Sequence, residues 1–226
     1  MKVAVGMSGG VDSSVSAALV VEQGYEVTGV FLECWRAPGC RTDEDRKDAL
    51  GVALALKIPF QVLDFKKEYK RKVVDYFYSE YKAGRTPNPD VMCNKEIKFG
   101  LFYDWCLKNG FDFVATGHYA KIVHSDKTAH PDFFRLMIPK DKHKDQTYFL
   151  YRLKPEQLEH VLFPLGEMTK EEVRQKARKR GLAVADKPDS QGICFIGEVD
   201  INALLRERLP VKTGKVVDSR GKIIGE

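Results

Sequence analysis

The chain opens with an apolar run, Lys2 to Gly6, that passes directly into Gly6-Met7-Ser8-Gly9-Gly10-Val11-Asp12-Ser13-Ser14 and then into a helical pattern from Asp12 to Glu22. A strand, a glycine-serine turn and a helix in that order leave few choices of fold. The alternation repeats: Val27 to Leu32, Phe60 to Phe65 and Phe111 to Thr116 read as strands, and Thr42 to Leu56, Lys67 to Lys82 and Lys95 to Asn109 as helices. Strands alternating with helices build a parallel sheet covered by helices. The expected fold is therefore α/β, an open parallel sheet with helices on both faces. Ligands of such sheets bind outside the carboxyl ends of the strands, where the glycine-serine turn falls.

Between the third and fourth helices, Ala83 to Asp90 carries Pro87 and Pro89 one residue apart, which favours an extended loop. Further on, Phe134 to Ile138 reads as a strand, Gln146 to Arg152 as a short helix and Lys170 to Arg180 as a basic amphipathic helix. A helix from Ile201 to about Leu209 precedes a hairpin, Gly214 to Gly225, turning at Asp218-Ser219-Arg220-Gly221. The expected division is a catalytic domain over 1–200, with a basic helical part at about 165–185, and the start of a small second domain over 201–226. Val211 to Glu226 reads as an opening hairpin without a closing element, so the chain is expected to stop short of a longer protein.

At 43% apolar and 31% charged, 226 residues bury a real core, which excludes disorder. No stretch approaches the ~18 consecutive apolar residues of a membrane span, and the N-terminus lacks a secretory pattern, so a cytoplasmic protein with no membrane partner is expected. Five cysteines without a secretion signal argue for reduced thiols rather than a disulfide framework. The net charge of +5 suits a polyanionic partner or an ordinary enzyme equally.

Glycines at the turn remove the Cβ atoms that would block close backbone approach. Ser8, Ser13 and Ser14 add hydroxyl donors, and the helix start adds open N–H groups. Together they form an anion cradle. No Gly-Lys-Ser/Thr follows, so the loop is not a Walker A loop, and phosphate charge must be met by backbone dipoles and a metal, with Asp12 as the Mg²⁺ contact.

Ser-Gly-Gly-Val-Asp-Ser after a first strand resembles the pyrophosphate loop of the ATP pyrophosphatases. Further segments narrow the likeness: Gly84 to Asn94 (GRTPNPDVMCN), Ala115 to Ala120 (ATGHYA), Lys144 to Leu150 (KDQTYFL) and Asp189 to Gly197 (DSQGICFIG). In that order the set resembles the tRNA-specific 2-thiouridylase family over essentially the whole chain. The resemblance implies an adenine nucleotide alpha hydrolase-like fold and sulfur transfer to C2 of the wobble uridine of tRNA. It assigns ATP to Gly6, Met7, Ser8, Gly9, Gly10, Val11, Asp12 and Ser13, with Leu32 against adenine and Gly117 beside the nucleotide. Asn88, Pro89 and Asp90 fall to the target base, with Asp90 as acid/base, and His118, Lys144, Asp145 and Gln146 to tRNA. Cys194 takes the persulfide, Cys93 the role of nucleophile, and an upstream sulfur donor, a cysteine desulfurase or relay protein, is implied as a partner.

The chemistry of the residues agrees. A pyrimidine carbonyl oxygen leaves poorly, but after adenylation it departs as AMP. Cys93 and Cys194, 101 positions apart and both in Gly- or Pro-containing segments expected to be exposed, can release hydrosulfide from a persulfide by forming a transient disulfide. Cys106, on an apolar helix, reads as core, and Cys34 and Cys40 do not match the C-x₂₋₄-C spacing of zinc pairs. Two thiolates with Asp90 nearby leave an iron–sulfur cluster open as an alternative. Two further readings compete: an amide-forming synthetase, which leaves both loop cysteines unused, and a non-catalytic nucleotide- or RNA-binding protein. The basic runs Lys66 to Lys72 and Arg174 to Arg180 are either solvated helix faces or phosphate contacts.

Overall fold

Val3, Ala4 and Val5 on β1 (Lys2–Gly6) are completely buried, as a strand covered on both faces must be. The computed structural model describes residues 1–35, 42–125, 133–189, 201–211 and 213–226. After β1 come α1 (Val11–Glu22), β2 (Glu26–Glu33), α2 (Thr42–Ala55), β3 (Phe60–Asp64) and α3 (Lys66–Tyr69). A π-helical turn (Lys70–Val74) leads to α4 (Asp75–Lys82). Then α5 (Pro89–Cys93) runs through a π-helical stretch (Asn94–Phe102) into α6 (Tyr103–Lys108). β4 (Phe113–Ala115), β5 (Lys121–Ser125) and β6 (Phe133–Met137) precede two 3₁₀ turns, Lys142–Lys144 and Thr147–Leu150. The chain continues with α7 (Pro155–Leu158), β7 (Val161–Leu162), α8 (Lys170–Lys179), α9 (Ile201–Arg206), β8 (Val216–Val217) and β9 (Ile223–Gly225).

Five strands form one parallel sheet in the order β3-β2-β1-β4-β7. Side chains alternate across it. Val3 and Val5 face a cluster with Val15 of α1, Val52 of α2 and Val173 of α8, whereas Ala4, Val30 and Val114 face Phe99, Phe102 and Leu150. A third cluster joins Tyr69, Val73, Phe77, Cys93 and Ile97, capped by Leu204, Leu205 and Leu209. The expected α/β architecture is thus present. Among the described residues no helix is long and apolar enough to cross a membrane.

Three expectations need correction. The break between helices ends at Asn88, because Pro89 opens a helix rather than extending the loop: it has no N–H to lose in a first turn. Oδ1 of Asn88 accepts hydrogen bonds from the amides of Asp90 and Val91, each at 3.1 Å, and caps α5. The fourth helix therefore begins at Pro89, not Lys95, and Cys93 is helical and 2% exposed, not on an open loop. Sequence pattern also missed β7, only two residues long, and β5, the partner of the expected strand at 134–138. The helix at 201 ends at Arg206, and the hairpin turn at Asp218 to Gly221 lies where expected.

Nothing in the sequence announces the π-helical stretches. Their signature is local: a Cβ on Gly100 would stand 2.9 Å from the carbonyl oxygen of Lys95, five residues back. Asn88→Ala is expected to lower unfolding free energy by about 1 kcal/mol in urea titrations, and Asn88→Asp to restore it. Equal stability of the alanine variant would remove the capping account.

Candidate active site

β1 and β4 lie side by side at the centre of the sheet, but the chain leaves β1 toward β2 and β3 and leaves β4 toward β7. The strand order reverses there, and the crevice at their carboxyl ends is where such sheets bind ligands. The loop of Gly6 to Ser13 follows β1, and Thr116, Gly117 and His118 follow β4. The two segments touch. A Cβ on Gly117 would lie 2.7 Å from the Ser13 nitrogen and 2.9 Å from the Asp12 carbonyl carbon, so only glycine allows this approach.

Within the loop, Gly9 has φ +76° and a Cβ there would collide with the Asp45 carbonyl oxygen. Gly10 is the N-cap of α1 and offers no side chain, so the first-turn amides stay open toward an anion. Ser13 Oγ accepts from the Ser8 amide at 3.1 Å and lies 3.2 Å from Ser8 Oγ, drawing the loop into a ring. Met7 and Val11 are buried anchors, and Ser8, Gly10 and Asp12 are the more open members.

Lysines that sequence reasoning missed supply the cations absent from the loop. Lys170 Nζ donates to both carboxylate oxygens of Asp12, at 2.7 and 2.8 Å, and lies 2.6 Å from Oδ1 of Asp189. Tyr119 Oη donates to Asp12 at 3.0 Å. Asp189 also receives Lys144 Nζ at 2.7 Å and Arg174 Nη2 at 2.9 Å. Desolvation pushes the Asp189 carboxyl up, but the hydrogen bonds from Lys144 and Lys170 outweigh it and hold the pKa at about 2. Lys187 Nζ donates to the Gly9 carbonyl at 3.0 Å, to Asp45 at 2.7 Å and to Asp48 at 2.5 Å, pinning the loop from outside. These lysines stand 158 and 178 positions from their loop partners, and only the fold brings them there.

His118 is 7% exposed. Its Nε2 lies 3.4 Å from Lys98 Nζ, which has only protons to offer, so Nε2 accepts and Nδ1–H donates to Thr116 Oγ1 at 2.7 Å. Burial, and then the Lys98 charge, push its pKa well below the ordinary value. Lys98 sits in the π-helical stretch that follows Cys93, so His118 ties β4 to the helix carrying the cysteine. Cys93 lies in the third buried cluster, and Asn94 Nδ2 donates to the Phe149 carbonyl at 3.1 Å. Asp90 is half-buried, three residues before Cys93 on α5. Leu32, partly buried at the end of β2, touches the second and third clusters.

The remaining expected contacts hold one another. Gln146 Oε1 accepts from the Tyr119 amide at 2.9 Å while its own amide donates to the Tyr119 carbonyl at 3.1 Å. Asp145 accepts from the Thr147 amide and hydroxyl, and Lys144 grips Asp189. Much of both basic runs is spent on carboxylates: Lys66 on Asp64, Lys72 on Glu96, Lys176 and Arg180 on Glu22, Arg178 on Asp186. Cys106 is buried and its thiol is pushed up by desolvation, as a core cysteine. Cys194 and Cys40 lie outside the described residues. Among the described residues no three His, Cys, Asp or Glu side chains converge on a metal-sized point.

Residues 1–198 match the family model described as tRNA methyl transferase HUP domain. The chain is 48% identical to tRNA-specific 2-thiouridylase MnmA of Akkermansia muciniphila, over 99% of this chain and 63% of that protein. It is 49% identical to the protein of that name from Streptococcus thermophilus and 50% to that from Lactobacillus helveticus, each over 100% of this chain and 60% of the relative. It thus spans about 60% of the length of these curated relatives. Among solved structures it is similar to the U34-tRNA thiolase NcsA from Methanococcus maripaludis with its 4Fe–4S cluster, at 18% identity and TM-score 0.53 over 84% of this chain and 60% of that one. NMN synthetase from Francisella tularensis gives 18% identity and TM-score 0.50 over 84% and 66%. At such identity both likenesses concern the fold alone.

A neutral buried His118 has a consequence for stability. Below the ordinary histidine pKa of about 6.5 the unfolded chain takes up a proton that the folded chain refuses, so stability falls as pH falls. Between pH 7.5 and 5.5 this one group is expected to cost at most about 1.4 kcal/mol in urea unfolding, a loss that His118→Asn removes. An unchanged pH dependence in the variant would contradict it.

Proposed function

We propose, from the premise that the chain belongs to the tRNA methyl transferase HUP domain family, that it uses ATP to replace the C2 oxygen of a tRNA uridine with sulfur. The observation that carries this reading is the contact of Gly117 with the start of α1, which sets the first-turn amides of α1 and the exposed Ser8 hydroxyl between β1 and β4. Ser13 and Ser14 hold the Gly10 carbonyl, and His118 ties β4 to the Cys93 helix. Relatives 48–50% identical are named for 2-thiolation, which supports the choice of sulfur over an amide nitrogen.

ATP phosphates lie on the amides of Gly9 to Ser13, with adenine toward Leu32 and the backbone at Gly117 against the nucleotide. Magnesium arrives with ATP; Asp12, the loop's one carboxylate, already holds a cation in the Lys170 ammonium and would hold the metal, which neutralises phosphate charge. Lys170 beside Asp12 and Lys187 beside the Gly9 carbonyl add positive charge at the same loop. The uridine leaves its stack so that its C2 oxygen reaches the α-phosphorus. That oxygen attacks, pyrophosphate departs, and C2 carries AMP as a good leaving group. Asn88, Pro89 and Asp90 hold the base, and Asp90 moves the proton at uridine N3 as its C2 oxygen is adenylated. His118, Lys144, Asp145 and Gln146 line the RNA side.

Sulfur comes as a persulfide on Cys194, loaded by a cysteine desulfurase or relay protein. Cys93 thiolate attacks Sγ of Cys194, expelling hydrosulfide and forming a Cys93–Cys194 disulfide that an external thiol reduces before the next turnover. Hydrosulfide adds at C2 and AMP leaves. Residues 1–200 act as the catalytic domain and 201–226 as the start of a tRNA-gripping one, in the cytoplasm where thiols stay reduced.

Transfer of ³⁵S to tRNA in the presence of ATP tests the pair. Cys93→Ser and Cys194→Ser are each expected to lose at least a hundredfold in product. Cys194→Ser should also lose covalently bound ³⁵S, while Cys93→Ser keeps it. Full product from either variant would end the redox-pair mechanism, and iron in anaerobically prepared protein would favour a cluster instead.

A further inference from the structure

We propose that Tyr148 and Tyr151 form a stacking platform for an unpaired nucleobase of the RNA loop that carries the target uridine. The inference rests on the RNA reading above and extends it to residues that reading leaves without a role. Tyr148 is 65% exposed and Tyr151 60%, in the same short stretch as Leu150, which is completely buried. Two tyrosines this open, either side of a buried leucine, present aromatic faces that a flat ligand can cover.

The rings stand 6.3 Å apart with their planes inclined by 40°, and the Arg152 guanidinium lies 5.9 Å from the Tyr151 ring. Tyr148 also meets the Phe149 ring edge to face, at 5.4 Å between centroids, and among the described residues neither tyrosine hydroxyl has a hydrogen-bond partner. The mount is rigid. Leu150 anchors the 3₁₀ turn in the core, Asn94 Nδ2 holds the Phe149 carbonyl at 3.1 Å, and Asp145 fixes Thr147 at 2.9 Å. Little conformational entropy remains to be lost when a ligand lands there.

Position and charge select the occupant. The turn packs against α5, the helix that carries Asp90 and Cys93, and is bonded to Asn94, so in the reading above a base on the platform comes from the same RNA loop as the target uridine. Lys142, Arg152 and Lys154 lie within the same stretch of chain, suited to the phosphates on either side of a stacked base, while Lys144 is held by Asp189. Isolated aromatic faces amid cations accept any nucleobase by stacking, whereas a protein partner would call for a continuous apolar patch.

The test uses the 226-residue chain and an RNA hairpin whose loop carries the target uridine with 2-aminopurine beside it. Wild-type protein and the Tyr148→Phe/Tyr151→Phe variant are expected to quench the 2-aminopurine and to bind with matching affinity by anisotropy. Tyr148→Ala/Tyr151→Ala should bind on the order of tenfold or more weaker and lose the quench, with its thermal unfolding unchanged. Wild-type affinity and quenching in the alanine variant would overturn the platform while leaving the RNA reading intact. Failure of the wild-type chain to bind the hairpin at all would sink both. Loss of self-association in the alanine variant, with RNA binding kept, would reassign the face to a second copy of the chain.

Discussion

One ammonium group holds the candidate site together. Lys170 Nζ, on a side chain only 14% exposed, lies between the carboxylates of Asp12 on the loop after β1 and Asp189 far along the chain. A cation so placed has lost most of its water, and two carboxylates repay that loss only while both stay ionised. Hydrogen bonds from Lys144 and from Lys170 itself outweigh desolvation and keep Asp189 charged to about pH 2, and Arg174 pairs with the same carboxylate at 2.9 Å. α8 brings Lys170 into place by packing Val173 and Ala177 against the α1 side of the sheet, and Thr169 and Glu172 box its first turn. The loop's geometry is therefore a tertiary property, stabilised by residues that share no local sequence with it.

The architecture was legible because it rests on local signals. The period of the apolar runs predicts β1 to β4 to within two residues at most ends, and the acidic first turn of α2 and the positive φ of Gly24 after α1 follow from residue type. Where the reading fails, two local rules compete or tertiary context decides. Proline breaks helices but also starts them, and Asn88 immediately before it was the cap that tips the balance. Without that start the pattern places Cys93 on an exposed loop, whereas it sits on a buried helical face.

The site itself divides in the same way. The Gly6 to Ser13 turn could be found because glycine at a strand end has a steric meaning, Gly117 is named only by the resemblance, and the structure sets the two in contact. Lys170 and Lys187 could not, since a lysine on a helix or in a loop has no local mark of what it will pair with. The roles implied for Lys144 and Gln146 meet an arrangement in which both already brace the site, Lys144 on Asp189 and Gln146 on the Tyr119 backbone. Residues that shape a pocket and residues that touch a ligand carry the same sequence signature.

What unites these elements is the claim that the loop activates an oxygen of RNA by making it part of AMP. That claim is open to direct measurement with RNA bearing ¹⁸O at the C2 position of the target uridine, incubated with the chain, ATP and hydrosulfide. Adenylation followed by sulfur attack sends one ¹⁸O into the phosphate of AMP for each 2-thiouridine formed. Unlabelled AMP, or ADP in place of AMP, would contradict the account.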